Sequence, residues 1–144
     1  AFIHCPYDKL KVVFVGQDPY PQLDVADGIS FSCSKTMKEQ PSLRYIFDEL
    51  EIQYPNSNRN PDLKRWSKQG VLMLIQPLNK RDDLVFVCLG KKAEQWENYM
   101  NNNHVIKVAH PASAAYKGGK WNSQNLFNEV NNYLDSIDKP LIVW

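Results

Sequence analysis

The sequence predicts an α/β fold: a three-layer sandwich with a mostly parallel, four-stranded central sheet flanked by helices. Three observations lead there. Short apolar runs rich in β-branched and aromatic residues recur at 12–15, 71–75, 84–89 and 104–109. Runs of that length and composition are buried strands. Between and after them the apolar residues change to helical spacing, and such alternation marks a layered α/β domain. The chain of 144 residues has the size of one domain, so 1–144 is taken as a single unit.

The first run, Val12-Val13-Phe14-Val15, empties into Gly16-Gln17-Asp18-Pro19-Tyr20-Pro21. In open α/β sheets, ligands bind just past the carboxyl ends of parallel strands. Pro19 biases Asp18 toward an extended backbone, so the carboxylate stands at the mouth of the crevice. Leu43, Ile46, Phe47 and Leu50 line one helical face, with Pro41 tolerated in the first turn. Asn60-Pro61 predicts an N-cap and N1 proline opening a short helix to about Lys68. Val71–Ile75 and Leu84–Leu89 follow as strands. Ala93, Trp96 and Met100 space a helix after Gly90. The last strand, His104–Ala109, ends in His110-Pro111, and Leu126, Phe127, Val130, Leu134 and Ile137 space a final helix. Asp18 and His110, at the ends of two parallel strands, face one crevice.

One joint breaks the pattern. Only eight residues, Gln76 to Asp83, separate the second and third strands. Parallel neighbours need a crossover of a dozen residues or more. Either these strands are antiparallel, or a crossover segment is missing; the second is the expectation.

Composition narrows the function classes. With 43% hydrophobic and 23% charged residues the chain is an ordinary globular protein. It has no apolar stretch of the ~18 residues a membrane span needs, and no signal-peptide pattern opens it. Cys5, Cys33 and Cys88 are an odd count without metal-ligand spacing. They read as reduced thiols in an intracellular compartment, cytoplasmic or nuclear, with no metal or cofactor expected. A net charge of +1 is low for a protein that lives on phosphate contacts. Any such contact must come from local lysines: Lys91, Lys92, Lys117 and Lys120.

Several motifs together resemble the uracil-DNA glycosylase family. Gly16-Gln17-Asp18-Pro19-Tyr20 is similar to its water-activating loop, and Asp27-Gly28-Ile29-Ser30-Phe31-Ser32 to its uracil-stacking segment. Pro41-Ser42-Leu43 resembles the Pro-Ser loop that clamps DNA, and Trp66–Leu74 the central strand with its lead-in. Leu89-Gly90-Lys91-Lys92 stands where the Gly-Ser loop lies, His104–Lys117 where the His-Pro intercalating loop lies. Lys139–Trp144 resembles the Pro-x-x-Trp ending. These matches run in family order over almost the whole chain.

The resemblance implies hydrolysis of the N-glycosidic bond of uracil in DNA, by base flipping, without metal or cofactor. It makes Asp18 and His110 the catalytic pair. It puts Gln17, Tyr20 and Phe31 around the base. It assigns DNA contacts to Pro41, Ser42, Gly90, Lys91, Ser113, Ala114, Tyr116 and Lys117. The implied partner is uracil-containing DNA, single or double stranded, met by a monomer, with a protein inhibitor or replication protein as a further partner.

Three departures qualify it. Pro21 replaces the histidine that usually follows the tyrosine. Ile75 falls where the family's base-reading asparagine is expected, so Gln76 or Asn79 becomes the candidate reader. The intercalating leucine is absent; Ala114 is too small to wedge into a duplex, and Tyr116 is the large residue within reach. These departures motivate an alternative, a catalytically weak relative serving as a DNA-binding or polymerase-accessory module. An unrelated α/β hydrolase using Asp18 and His110 on a small molecule would leave Pro41-Ser42 and Lys91-Lys92 unexplained.

Overall fold

A computed structural model describes residues 3–17, 20, 22, 24–74, 81–100 and 103–144. Asp18, Pro21, Ile75, Gln76 and Asn79 lie outside the described residues.

Four strands, β1 (Val12–Val15), β2 (Val71–Leu74), β3 (Val85–Leu89) and β4 (His104–Val108), form one sheet in the order β2-β1-β3-β4. Every pairing is parallel: Val13 faces Leu72 on one side and Phe86 on the other, and Val87 faces Ile106. The four-stranded parallel α/β architecture is therefore as predicted. Alternate side chains feed two cores. Val12, Phe14, Met73, Val87 and Ile106 point to one face. Val13, Val15, Leu72, Phe86 and Cys88 point to the other. Because both faces are covered, β1, β2 and β3 read as unbroken apolar runs rather than as alternating ones, whereas the edge strand β4 carries His104 and Lys107.

On the first face lie α1 (Pro41–Gln53), α2 (Lys64–Ser67) and α5 (Leu126–Ser136). Leu43, Ile46, Phe47 and Leu50 are the buried stripe of α1, with Pro41 in its first turn. Trp144 fills the centre, edge-on to Phe14, Trp66 and Phe127 at centroid distances of 6.3, 5.4 and 5.1 Å. The opposite face is covered by the N-terminal segment with Cys5 and Leu10 and by α3 (Lys91–Glu94).

The structure decides one open choice and corrects three expectations. The strands β2 and β3 are not antiparallel; both run parallel to β1, on its two sides. The ten residues 75–84 join them. Going from the end of β2 to the start of β3 means crossing two strand spacings and backing up one strand, roughly 16 Å. Ten residues reach about 33 Å extended, enough to span that distance.

The helix expected from Asn60 begins only at Lys64. The Asn60 side chain accepts the Asp62 N–H at 2.9 Å and Asp62 accepts the Lys64 N–H at 3.1 Å, two successive Asx turns instead of a cap. The helix expected through Met100 stops at Glu94 and resumes as a 3₁₀ turn, Glu97–Tyr99. The segment after His110, taken as a loop, is the short helix α4, Ala112–Lys117.

Candidate active site

The strand order places a topological switch between β1 and β3. From β1 the chain moves to one side for β2, while β3 and β4 lie on the other. Ligands bind at the carboxyl ends of strands at such a point. There Gly16 donates its N–H to Leu74 O at 2.8 Å, and Gly90 donates to Val108 O at 2.8 Å. The loops after β1 and β3 are thereby tied to the ends of the neighbouring strands β2 and β4.

A cavity of about 320 Å³ opens at this end, lined among others by Tyr20, Phe31, Ser42, Met73, Leu74 and His110. That size and mostly apolar lining suit one flat heterocycle. Phe31 does not alternate along a strand, as its neighbours' pattern allowed; its backbone is left-handed at φ 65°. This turns the ring across Gly16, where an added Cβ would meet it at 3.4 Å. The Phe31 and His110 rings lie 5.8 Å apart at 38°. Tyr20 donates its hydroxyl to Phe31 O at 3.0 Å. Burial, with Cys33 and Asp27 nearby, pushes the Tyr20 hydroxyl far above its ordinary pKa, so it stays a neutral donor.

His110 is held from three sides. Its Nδ1 accepts the Ala112 N–H at 3.2 Å, which places the proton of the neutral ring on Nε2. Its carbonyl accepts the Ser113 N–H at 2.8 Å. Just before it, the Trp121 indole donates to Ala109 O at 2.8 Å and pins the end of β4. Gly90 packs against it as well, with a φ of 85° and ψ of 165° that belong to glycine almost alone. A Cβ there would stand 2.2 Å from Gln17 Nε2 and 2.9 Å from His110 Cβ. Gly90→Ala should therefore fold but displace both side chains, cutting turnover about 10²-fold, the scale of a 1 Å misplacement. Steady-state kinetics well below the variant's lowered thermal midpoint checks this; a loss under threefold would mean that neither side chain matters there.

The structure brings Gln17, Tyr20, Phe31, Ser42, Gly90 and His110 to one end of the sheet. Pro41 is exposed at the start of α1 and Lys91 at the start of α3. Along α4, which packs on α1, Ser113 is half-buried and Ala114 turns into the core at 7% exposure. Tyr116 stands out at 90% exposure with Lys117 beside it. Two supports escaped the sequence reading as individual residues, Asp27 and Trp121. Asp27 two residues before Ile29 has the Asx-turn spacing; nothing local marks Trp121. Among the described residues no group of three or more His, Cys, Asp or Glu could hold a metal ion, and no helix is long and apolar enough to cross a membrane.

A model of the uracil DNA glycosylase superfamily matches residues 2–135. The chain belongs to that superfamily. Among its relatives is the uracil-DNA glycosylase of Fusobacterium nucleatum, 30% identical over 177 aligned positions, covering all of this chain and 76% of the relative. That of Mesomycoplasma hyopneumoniae is 33% identical over 168 positions, covering 96% of this chain and 76% of the relative. The fold is that of mimivirus uracil-DNA glycosylase, with TM-score 0.84 and 23% identity over 99% of this chain and 70% of that one. A mimivirus variant solved in complex with UGI matches with TM-score 0.82. The Fusobacterium alignment holds 177 positions against 144 residues here, so at least 33 of its positions face no residue of this superfamily member.

Proposed function

We propose that this chain excises uracil from DNA, hydrolysing the N-glycosidic bond of a flipped nucleotide and leaving an abasic site. Its family membership and its relatives' activity support the reaction. One observation carries the assignment of parts: His110 and the Phe31 ring border one heterocycle-sized cavity, with Nε2 left to carry the imidazole proton. A base inside a duplex is not reachable, so the nucleotide must first turn out of the stack. The C1′–N1 bond then breaks to give an oxocarbenium-like sugar and a uracil anion. His110 donates Nε2–H to the oxygen on which that anion's charge grows. Asp18, past the end of β1, faces the sugar cation and orients the water whose oxygen bonds to C1′.

Phe31 stacks on the base, Gln17 lies beside it, and Tyr20 abuts C5. Gln76 or Asn79 supplies the amide that reads its polar edge. Pro41, Ser42, Gly90, Lys91, Ser113, Tyr116 and Lys117 meet the DNA, Tyr116 in place of the intercalating leucine. The protein works as a monomer of one domain. The UGI complex of a mimivirus relative supports a protein inhibitor as a second partner.

The decisive experiment incubates the purified chain with a uracil-containing oligonucleotide and scores alkali-labile sites. Sites at uracil alone are expected; binding without cleavage would select the accessory-module reading.

Tyr20→Ala should admit thymine, because only bulk at C5 separates the two bases and one methyl is worth ~1–3 kcal/mol of exclusion. Thymine release from a thymine oligonucleotide is the measurement. No release by a variant that still excises uracil would assign the guard at C5 to another side chain.

A further inference from the structure

Phe31 faces the cavity only because its backbone is left-handed, a strained conformation for a bulky residue. Something must impose it. The Asp27 carboxylate sits inside the curl of residues 27–34 and gathers three donors from it. Oδ1 accepts the Ile29 N–H at 3.1 Å; Oδ2 accepts the Ser32 hydroxyl at 2.7 Å and the Ser34 N–H at 2.9 Å. The bonds fall on both sides of Phe31, so they fix the chain before and after it. Ser32 extends the clamp outward: its buried oxygen accepts the Leu63 N–H at 3.3 Å, tying the curl to the residues that start α2. Tyr20 holds the Phe31 carbonyl from the cavity side.

We propose that Asp27 is a positioning residue for base binding, acting through Phe31, whose ring it aims across Gly16 into the cavity. This rests on the reading of Phe31 as the uracil-stacking ring. Burial works against the ionised carboxyl, yet the bonds from Ser32, Ser34 and Ile29 outweigh it and hold its pKa below the ordinary carboxylate value. Asp27 is thus charged wherever the enzyme works, and its four lone-pair sites match the donors around it. A neutral amide has one accepting oxygen and cannot serve all three.

The test is a double-mutant cycle on uracil affinity. Binding of free uracil and of abasic DNA is measured for wild type, Asp27→Asn, Phe31→Ala and the double variant, below each thermal midpoint. Asp27→Asn should weaken uracil binding about tenfold and leave abasic-DNA affinity unchanged. In the Phe31→Ala background it should add almost nothing, since residues acting as one unit are non-additive. Ser32→Ala, which removes the shortest of the three bonds, should shift uracil affinity the same way by less, and replaces Asp27→Asn in the cycle if that variant does not fold. Full additivity with Phe31→Ala, or equal loss of uracil and abasic-DNA binding, would overturn the proposal by showing a general structural role. Unchanged uracil affinity in Phe31→Ala would instead sink the stacking reading itself.

Discussion

Asp18→Asn should cost two to four orders of magnitude in turnover while leaving affinity for uracil-containing DNA nearly intact. The substitution deletes a charge and keeps the shape, so it removes what the transition state needs and little that the ground state uses. A carboxylate near a developing sugar cation, in a site closed to water, is worth far more than the same pair in solvent. The loss corresponds to roughly 3–5 kcal/mol at 1.36 kcal/mol per tenfold. Asp18 follows β1, the strand that shares pairing with both β2 and β3. The loop therefore springs from an interior strand of the sheet. Single-turnover excision beside equilibrium binding gives the answer. A drop of less than tenfold would remove Asp18 from the cation-stabilising role.

His110→Ala should be comparably severe, with a change in pH profile that separates it from a packing defect. In the wild type Nδ1 accepts from Ala112 and Nε2 carries the proton. Taking up a second proton displaces the Ala112 bond and creates a cation where the mechanism uses a neutral donor. The wild-type rate should fall on the acid side as His110 protonates, whereas the alanine variant should be slow and lack that limb. A wild-type rate flat down to about pH 5 would show that the neutral imidazole is not the donor. The ring also packs toward Phe31 and Gly90. Abasic-DNA binding by the variant therefore tests whether the loss is chemical or architectural.

Much of the crevice is legible in the sequence, because motif residues sit where strands end and strand ends follow from composition. Val12–Val15 read as buried on both faces, and they are. His110 followed its strand into a proline, and it borders the cavity. Phe31 was less legible. Its apolar neighbour Ile29 suggested strand alternation, whereas the Asp27 clamp sets a left-handed turn that side-chain type does not encode. The helix start at Lys64 was misread for a related reason. Asn60 and Asp62 spend their side chains on successive turns, and capping competes with turns for the same oxygen.

The class of fold, the strands and the principal helices are legible in the amino-acid order, as are the motifs that supply candidate residues for the chemistry. Those properties live in short windows, where the period of apolar residues and the chemistry of Gly, Pro, Asp and Asn act locally. Tertiary structure alone decided that β1 lies between β2 and β3, that the short link joins parallel strands, and that Gly90 packs on both Gln17 and His110. It also decided that Trp144 is the hub joining Phe14, Trp66 and Phe127. These are contacts between distant residues. An apolar strand is compatible with several neighbours, and the choice falls to how the whole set of faces can be buried at once.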